Sequence, residues 1–126
     1  MSIIDQLKFD SNGLISAVIQ DDATGEVLMF AHMNRQALER TIQGPLVTFW
    51  SRSRKKLWIK GEESGHTQTV KEVLYDCDGD AVLIKVDQKV AACHEGYRSC
   101  FFRKIEDDKS KIILKQLFDP NKIYNK

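Results

Sequence analysis

The stretch Leu14–Ala31, LISAVIQDDATGEVLMFA, decides the fold. Its two apolar runs, Leu14–Gln20 and Glu26–Ala31, are rich in the β-branched and aliphatic residues that favour strands. The segment DDATG between them carries turn-forming Asp and Gly residues. This pattern predicts a β-hairpin.

A helix is predicted directly after the hairpin. Asn34 can cap the segment RQALERTIQ, and Gly44-Pro45 supplies a stop. The apolar positions recur at helical spacing, and they are Ala37, Leu38 and Thr41 to Ile42. We expect this to be the best-formed helix of the chain.

The rest of the chain predicts more strands than helices. Four apolar runs have strand character, and they are Leu46–Trp50, Leu57–Lys60, Gln68–Tyr75 and Ala81–Val90. The charged segment EDDKSK, at 106–111, predicts an interruption of regular structure. A short helix or strand is expected in IILKQLF after it. The prediction is one α+β, mostly β domain over 1–126, built on a mixed or antiparallel twisted sheet, with a peripheral tail at 104–126.

Length and charge narrow the classes of function. The chain has 126 residues, which fits one domain, and 19 Lys and Arg against 18 Asp and Glu leave a net charge of +1. A net charge this small gives the protein no overall positive potential that would attract a nucleic acid or an anionic membrane. No apolar run reaches the roughly 18 residues of a membrane span, and three cysteines cannot all pair. We therefore expect a cytoplasmic protein whose cysteines serve a structural, catalytic or metal-binding role.

Three carboxylates alternate along Asp76-Cys77-Asp78-Gly79-Asp80, between two predicted strands. A plain hairpin turn explains the Asp-Gly pair, because such pairs favour tight turns. An EF-hand loop is disfavoured, since Ala81 and Asp87 stand where its Gly and Glu belong. Carboxylates at alternate positions can share one face and hold Mg²⁺ through hard oxygen ligands, whereas the thiol between them suits a softer metal.

The three cysteines form a second candidate metal site. Cys93 and Cys100 flank the loop HEGYRS, and with Cys77 they could give zinc three thiolate ligands and leave one position for water. The alternative is that all three are small buried residues, because their spacing matches no standard zinc finger. His94, next to Cys93, is a candidate general base, and His66, in a Gly-rich polar loop, is a second catalytic candidate.

The basic run Trp50–Trp58, WSRSRKKLW, indicates an anion-binding surface. Aromatic and cationic residues can bind a nucleic acid, and they can equally grip the phosphates of a small substrate. Without a wider basic surface, we favour the small anion. The predicted phosphate contacts are Arg52, Arg54 and Lys60, with Trp50 or Trp58 covering a base.

Four motifs together resemble one known family. In order they are WSRSR, LWIKGEESGHTQ, DCDGDAVL and ACHEGYRSCFF, and the resemblance that they carry covers roughly residues 14–103. This combination is similar to the phosphoribosyl-AMP cyclohydrolases of histidine biosynthesis. The resemblance implies a hydrolase that opens the adenine ring of 1-(5-phosphoribosyl)-AMP between N1 and C6. Glu63 and His32 depart from the usual pattern, where threonine and tyrosine are frequent.

The resemblance also implies metals and an assembly. It assigns Cys77, Cys93 and Cys100 to one zinc ion per subunit, and Asp76, Asp78 and Asp80 to one magnesium ion per subunit. It further implies an intertwined homodimer, in which Cys77 of one subunit completes the site of the other.

Two other classes of function stay open on the residues alone. A zinc-stapled nucleotide or nucleic-acid binding module would use the same cysteines with a closed fourth position. A redox sensor would use the thiols as a reversible pair, but it would leave the three aspartates without a role.

Overall fold

The computed structural model describes residues 2–122. The elements in chain order are β1 (Leu14–Asp21), β2 (Val27–Asn34), α1 (Arg35–Gln43), β3 (Thr48–Ser51), β4 (Lys56–Ile59), β5 (Gln68–Tyr75), β6 (Ala81–Gln88), β7 (Arg103–Glu106) and β8 (Lys109–Ile112). Short 3-10 helices occupy Ile3–Gln6 and Pro120–Lys122. The α+β, mostly β prediction is confirmed. Between residues 2 and 122, no helix is long and apolar enough to cross a bilayer.

A four-stranded mixed sheet forms the centre of the domain, in the order β2-β1-β6-β5. β1 and β2 form the predicted antiparallel hairpin, and β5 pairs antiparallel with β6. β1 and β6 lie side by side in parallel, which joins the two hairpins into one sheet. Their alternating apolar side chains point into the core, and they include Ile15, Ala17, Ile19, Val82, Ile84 and Val86.

Helix α1 forms where the sequence predicts it. The Asn34 side chain accepts a 2.8 Å hydrogen bond from the Ala37 amide, and Gly44 ends the helix. Ala37, Leu38 and Thr41 are buried against the sheet. The Thr41 hydroxyl both donates to and accepts from the backbone of Thr48, so it fixes the start of β3 relative to the helix.

Strands β3 and β4 make a separate two-stranded hairpin beside the central sheet. The register places Phe49 opposite Trp58 and Trp50 opposite Leu57. Because opposed residues share a face, the two tryptophans lie on opposite faces of this hairpin. Phe49 is buried, and its ring lies 5.0 Å from that of Trp58.

The charged break predicted at 106–111 is instead the turn of a further hairpin. Asp107 and Asp108 adopt positive φ angles of 50° and 62°, and β7 pairs with β8 from Glu106↔Lys109 outward. Aspartate tolerates this left-handed geometry better than most residues, so the charged pair turns the chain back rather than ending it. The predicted IILKQLF element contributes only Ile112 to a strand, and residues 113–118 form neither helix nor strand.

Candidate active site

The three aspartates meet at the turn between β5 and β6. Across residues 2–122, Asp76, Asp78 and Asp80 form the one group of three His, Cys, Asp or Glu residues whose ligand atoms all lie within 4.8 Å of one another. Hydrogen bonds within the turn fix its shape, since the side-chain Oδ1 of Asp76 accepts from the backbone amides of Asp80 (3.0 Å) and Ala81 (3.2 Å). The N-terminal segment also braces it, because the Lys8 amide donates to the Gly79 carbonyl.

The three carboxylates of this cluster shift one another's pKa values. Interactions with Asp78 and Asp76 raise the pKa of Asp80 above its usual range. Desolvation opposes ionisation of Asp76, but hydrogen bonds with Asp80 and nearby amides hold the pKa of Asp76 below its usual range. Exposed carboxylate oxygens at this spacing are the donor set that Mg²⁺ prefers, so the residues fit such an ion.

Cys93 and Cys100 come together at the other end of the sheet. Cys93 is buried and its amide bonds to the Tyr97 carbonyl, while the Cys100 amide donates a 2.7 Å bond to Leu28 at the start of β2. Burial, with the adjacent Cys93 thiol, raises the pKa of Cys100 to about 12. Two thiols in hydrogen-bond contact are a donor pair suited to a soft metal such as zinc.

Cys77 is placed far from that pair within the same chain. It lies in the turn before β6, whereas Cys93 follows the end of the same strand. The eight residues of β6 carry the chain roughly 23 Å at about 3.3 Å per residue. The three cysteines therefore do not assemble in one subunit, and a site that uses all three needs a second chain.

Lys60 connects the thiol pair to the rest of the site. Its ammonium donates a 2.5 Å hydrogen bond to the carbonyl of Ala92. Burial lowers the pKa of Lys60, and the charges of Cys100 and Cys93 oppose that shift. Lys60 is thus a half-buried cation placed beside both thiols.

His66 lies in the loop that follows Lys60. Gly61 has a φ of +86° and lies against the far end of this loop. A Cβ at this position would stand 2.6 Å from the backbone of His66 and Thr67, so the close approach requires glycine. Burial and the charge of Lys60 lower the pKa of His66, so its imidazole is neutral near pH 7. Its Nδ1 atom is buried without a hydrogen-bond partner.

A cleft of about 810 Å³ opens beside these groups. His94 and Lys60 line it together with Arg54, Lys56 and Trp58, and the carboxylates of Glu62 and Glu63 also line it, so three cations against two acidic residues leave it a net positive charge. Lys56 and Trp58 lie on the same face of β4 because they are two residues apart in a strand. Lys56 is the residue that the sequence analysis missed, and the alternation Arg54, Lys56, Trp58, Lys60 was the signal for it.

Arg52 and Trp50 are placed elsewhere. Burial and the charge of Arg52 lower the pKa of His32, and Asp10 opposes that shift. Arg52 therefore lies near Asp10 and His32. Trp50 lies on the hairpin face opposite Trp58. Neither residue lines the cleft with His94.

A buried polar network fixes the loop that holds Cys93 and Cys100. Arg98 donates to Asp21 (2.9 Å) and to the carbonyls of Gln88 (2.9 Å) and Val90 (3.1 Å). The Gln88 side-chain amide donates to carbonyls on both sides of the site, at His66 and Ala91 (each 3.3 Å). These bonds tie the histidine loop and the cysteine loop to the ends of β1 and β6.

Fold and site together define a small β-rich enzyme domain, with an acidic cluster, a thiol pair and a cleft of net positive charge. The family model of phosphoribosyl-AMP cyclohydrolase matches residues 29–102. The chain belongs to the phosphoribosyl-AMP cyclohydrolase family. This confirms the resemblance drawn from the motifs and the interpretation of the chain as a hydrolase of histidine biosynthesis.

Individual relatives match almost the whole chain. A phosphoribosyl-AMP cyclohydrolase from Methanococcoides burtonii is 58% identical over 96% of this chain and 98% of its own length. One from Pelotomaculum thermopropionicum is 54% identical over 98% of this chain and 96% of its own length. One from Chlorobium limicola is 53% identical over 98% of this chain and 90% of its own length. The binding-module alternative is not favoured.

Proposed function

We propose that this protein adds water to C6 of the adenine ring of 1-(5-phosphoribosyl)-AMP and opens the N1–C6 bond, giving the phosphoribosyl-formimino-aminoimidazole carboxamide ribotide. The observation that carries the proposal is the cleft in which His94, Lys60 and a run of cations meet beside the Cys93–Cys100 pair. A cationic cleft with an aromatic wall suits a substrate that has two phosphates and a purine.

We assign one zinc site per subunit to Cys93 and Cys100 of one chain with Cys77 of a second. The separation of Cys77 from the other two along β6 supports this assignment, because a three-thiolate site then requires a homodimer. Cys77 is flanked by Asp76 and Asp78, so a partner that supplies its Cys77 brings its magnesium cluster to the same site. When bound, zinc would supply Lewis acidity and an activated water, and Mg²⁺ would screen the negative charge of phosphate.

Exposed apolar side chains support the homodimer. They are concentrated after Cys100, where Phe101 is 55%, Ile105 86% and Ile112 54% exposed. Exposed apolar residues grouped in this way mark interaction sites in soluble proteins. The β7–β8 hairpin is therefore a candidate part of the subunit contact.

His94 and His66 are the proposed proton carriers. Ring opening needs a group that accepts a proton from the attacking water and a group that returns one to N1 as the N1–C6 bond breaks. His94 lines the cleft directly after Cys93, and we assign it the role of base. His66, whose pKa is lowered by burial and by the charge of Lys60, is the proposed group that relays or returns the proton.

The cations of the cleft are the proposed phosphate contacts. Arg54 and Lys56 lie at the open side, where solvated phosphates can approach, and Trp58 offers a ring face for the purine. Lys60 lies deeper, near the thiols, where its charge favours thiolate over thiol. Arg52 and Trp50 stay predictions from the sequence, and their placement near His32 and on the opposite face favours Arg54, Lys56 and Trp58 instead. The cytoplasmic location also stays a prediction.

Ultraviolet-monitored turnover of phosphoribosyl-AMP tests the proposal. The purified protein is assayed as prepared, after chelation, and after zinc and magnesium are added back separately and together. We expect ring opening that is lost on chelation and restored only when both metals return. No turnover in a folded, zinc-loaded dimer would contradict the assigned reaction, and turnover that survives complete metal removal would contradict the metal assignment.

A further inference from the structure

The tail segment 116–118 returns to the site after β8. The Gln116 side-chain amide donates a 2.8 Å bond to the Glu95 carbonyl, and the Leu117 amide donates a 2.6 Å bond to the Gly96 carbonyl. The Phe118 ring meets the His66 imidazole edge-on, with centroids 4.9 Å apart and an interplanar angle of 73°. The tail segment therefore contacts both the cysteine loop, at Glu95 and Gly96, and the histidine loop, at His66.

This packing depends on the absence of a side chain at Gly96. Gly96 has a φ of +98°, and a Cβ there would overlap the Phe118 carbonyl oxygen and stand 2.7 Å from Cγ of Gln116. The two backbones approach as closely as only glycine permits. The contact is thus a close-packed part of the domain.

Phe118 covers an imidazole that is otherwise weakly anchored. The loop of His66 holds it through backbone bonds, such as the His66 amide to the Ser64 hydroxyl (3.1 Å), while its Nδ1 atom makes no hydrogen bond. Gln88 joins the two loops at their bases, through the carbonyls of His66 and Ala91. Phe118 and Gln116 join them a second time, at the imidazole ring and at Glu95.

We propose that Phe118 is a positioning residue for His66, and that the tail segment 116–118 holds His66 at a fixed place relative to the loop of His94. This inference rests on the proposed catalytic role of His66. An imidazole that must meet a reacting atom loses much of its effect when displaced by about 1 Å, so a contact that sets its orientation affects turnover without touching the substrate.

The experiment compares Phe118→Ala and Phe118→Leu with Lys115→Ala, an exposed control earlier in the same tail. We expect Phe118→Ala to lower kcat about tenfold with little change in KM, since the residue acts after binding. The ring proton resonances of His66 should shift in its NMR spectrum, because the neighbouring phenyl ring is gone. Phe118→Leu should recover most of kcat, and Lys115→Ala should match the wild type in both measurements.

A double-mutant cycle separates this inference from the proposed function. If Phe118 acts through His66, Phe118→Ala causes no further loss of kcat in a His66→Ala background. An equal tenfold loss in both backgrounds, or unchanged His66 resonances in Phe118→Ala, would overturn the positioning role. Wild-type turnover in His66→Ala alone would instead refute the catalytic assignment of His66, while the resonance shift would still report the packing.

Discussion

The Lys60 ammonium lies 2.5 Å from the carbonyl oxygen of Ala92, the residue directly before Cys93. This bond joins the cationic cleft to the thiol pair across 32 residues of sequence. It also places a positive charge beside Cys93 and Cys100, the proposed zinc ligands. The bond thus connects a residue that lines the cleft to the loop that carries both thiols.

Replacing Lys60 by methionine should weaken zinc binding as well as stability. The change leaves the Ala92 carbonyl without its donor, which costs about 1–3 kcal/mol for a buried group. It also removes the charge that favours thiolate. Urea unfolding and competition with a chromophoric chelator measure the two effects. Lys56→Met, at an exposed position of the same cleft, is the control, and equal zinc affinity in both variants would contradict this role.

Mixing inactive variants should reveal whether the zinc site is shared. Homodimers of Cys77→Ser or of Cys93→Ser should have no intact site. After subunit exchange, half of the dimers contain one subunit of each variant, and every such heterodimer has one intact site. Recovery of about one quarter of wild-type activity is expected for a two-fold dimer. Cys93→Ser mixed with Cys100→Ser is the control, because both changes lie in the same half of every site. Recovery in that control, or none in the first mixture, would exclude the shared arrangement.

Asp80→Asn should have opposite effects in the absence and presence of magnesium. Asp78 and Asp76 raise the pKa of Asp80, so removing its charge relieves repulsion and should leave Tm unchanged or higher without metal. The same change removes a ligand, so the rise in Tm that Mg²⁺ causes in the wild type should be lost. Thermal unfolding over a magnesium titration measures both. Asp87→Asn, an exposed residue of β6, is the control, and a full magnesium response in Asp80→Asn would refute the site.

Asp21→Asn should reduce the acid sensitivity of folding. Burial opposes ionisation of Asp21, but hydrogen bonds from Thr24 and Gln88 and the charge of Arg98 hold its pKa below the usual range. Because the pKa of Asp21 is lower in the folded state, its ionised form stabilises the fold at pH values above the unfolded-state pKa of about 3.9. That stabilisation is lost as the pH falls through the folded-state pKa. The free energy of unfolding of the variant should therefore be about 1–3 kcal/mol lower than that of the wild type near pH 7, and this gap should narrow below about pH 4. Denaturant unfolding at several pH values measures this, and the exposed Asp22→Asn should show no such gap.

Gly61→Ala should disturb the histidine loop. The added Cβ would approach the backbone of His66 and Thr67 to 2.6 Å, in addition to the strain of a φ of +86°. Destabilisation of more than about 1 kcal/mol and a loss of turnover are expected. Gly65→Ala is matched, because its φ is +79° and nothing lies within 4 Å of the added atom. Equal effects of the two changes would show that strain alone, without steric displacement of His66, accounts for the result.

The sequence by itself determined the elements whose signals are local. Asn34 caps α1 and Gly44 ends it, and the spacing of Asp76, Asp78 and Asp80 alone brings their carboxylates together in one turn. The alternating pattern of Ala81–Val90 likewise predicted β6, which ends at Gln88. Each of these depends on residues within a few positions, so a local pattern contains the necessary information.

Only the tertiary structure decided which distant residues meet. The pairing of β1 with β6 joins the two hairpins into one sheet, and the β3–β4 register selects Trp58 rather than Trp50 for the cleft. The contact of Phe118 with His66 joins positions 52 residues apart. Such contacts depend on strand register and on how loops close over the core, and shifting a strand by one residue reverses every side chain on it. No local pattern encodes them, because their stability comes from packing that exists only after the sheet has formed.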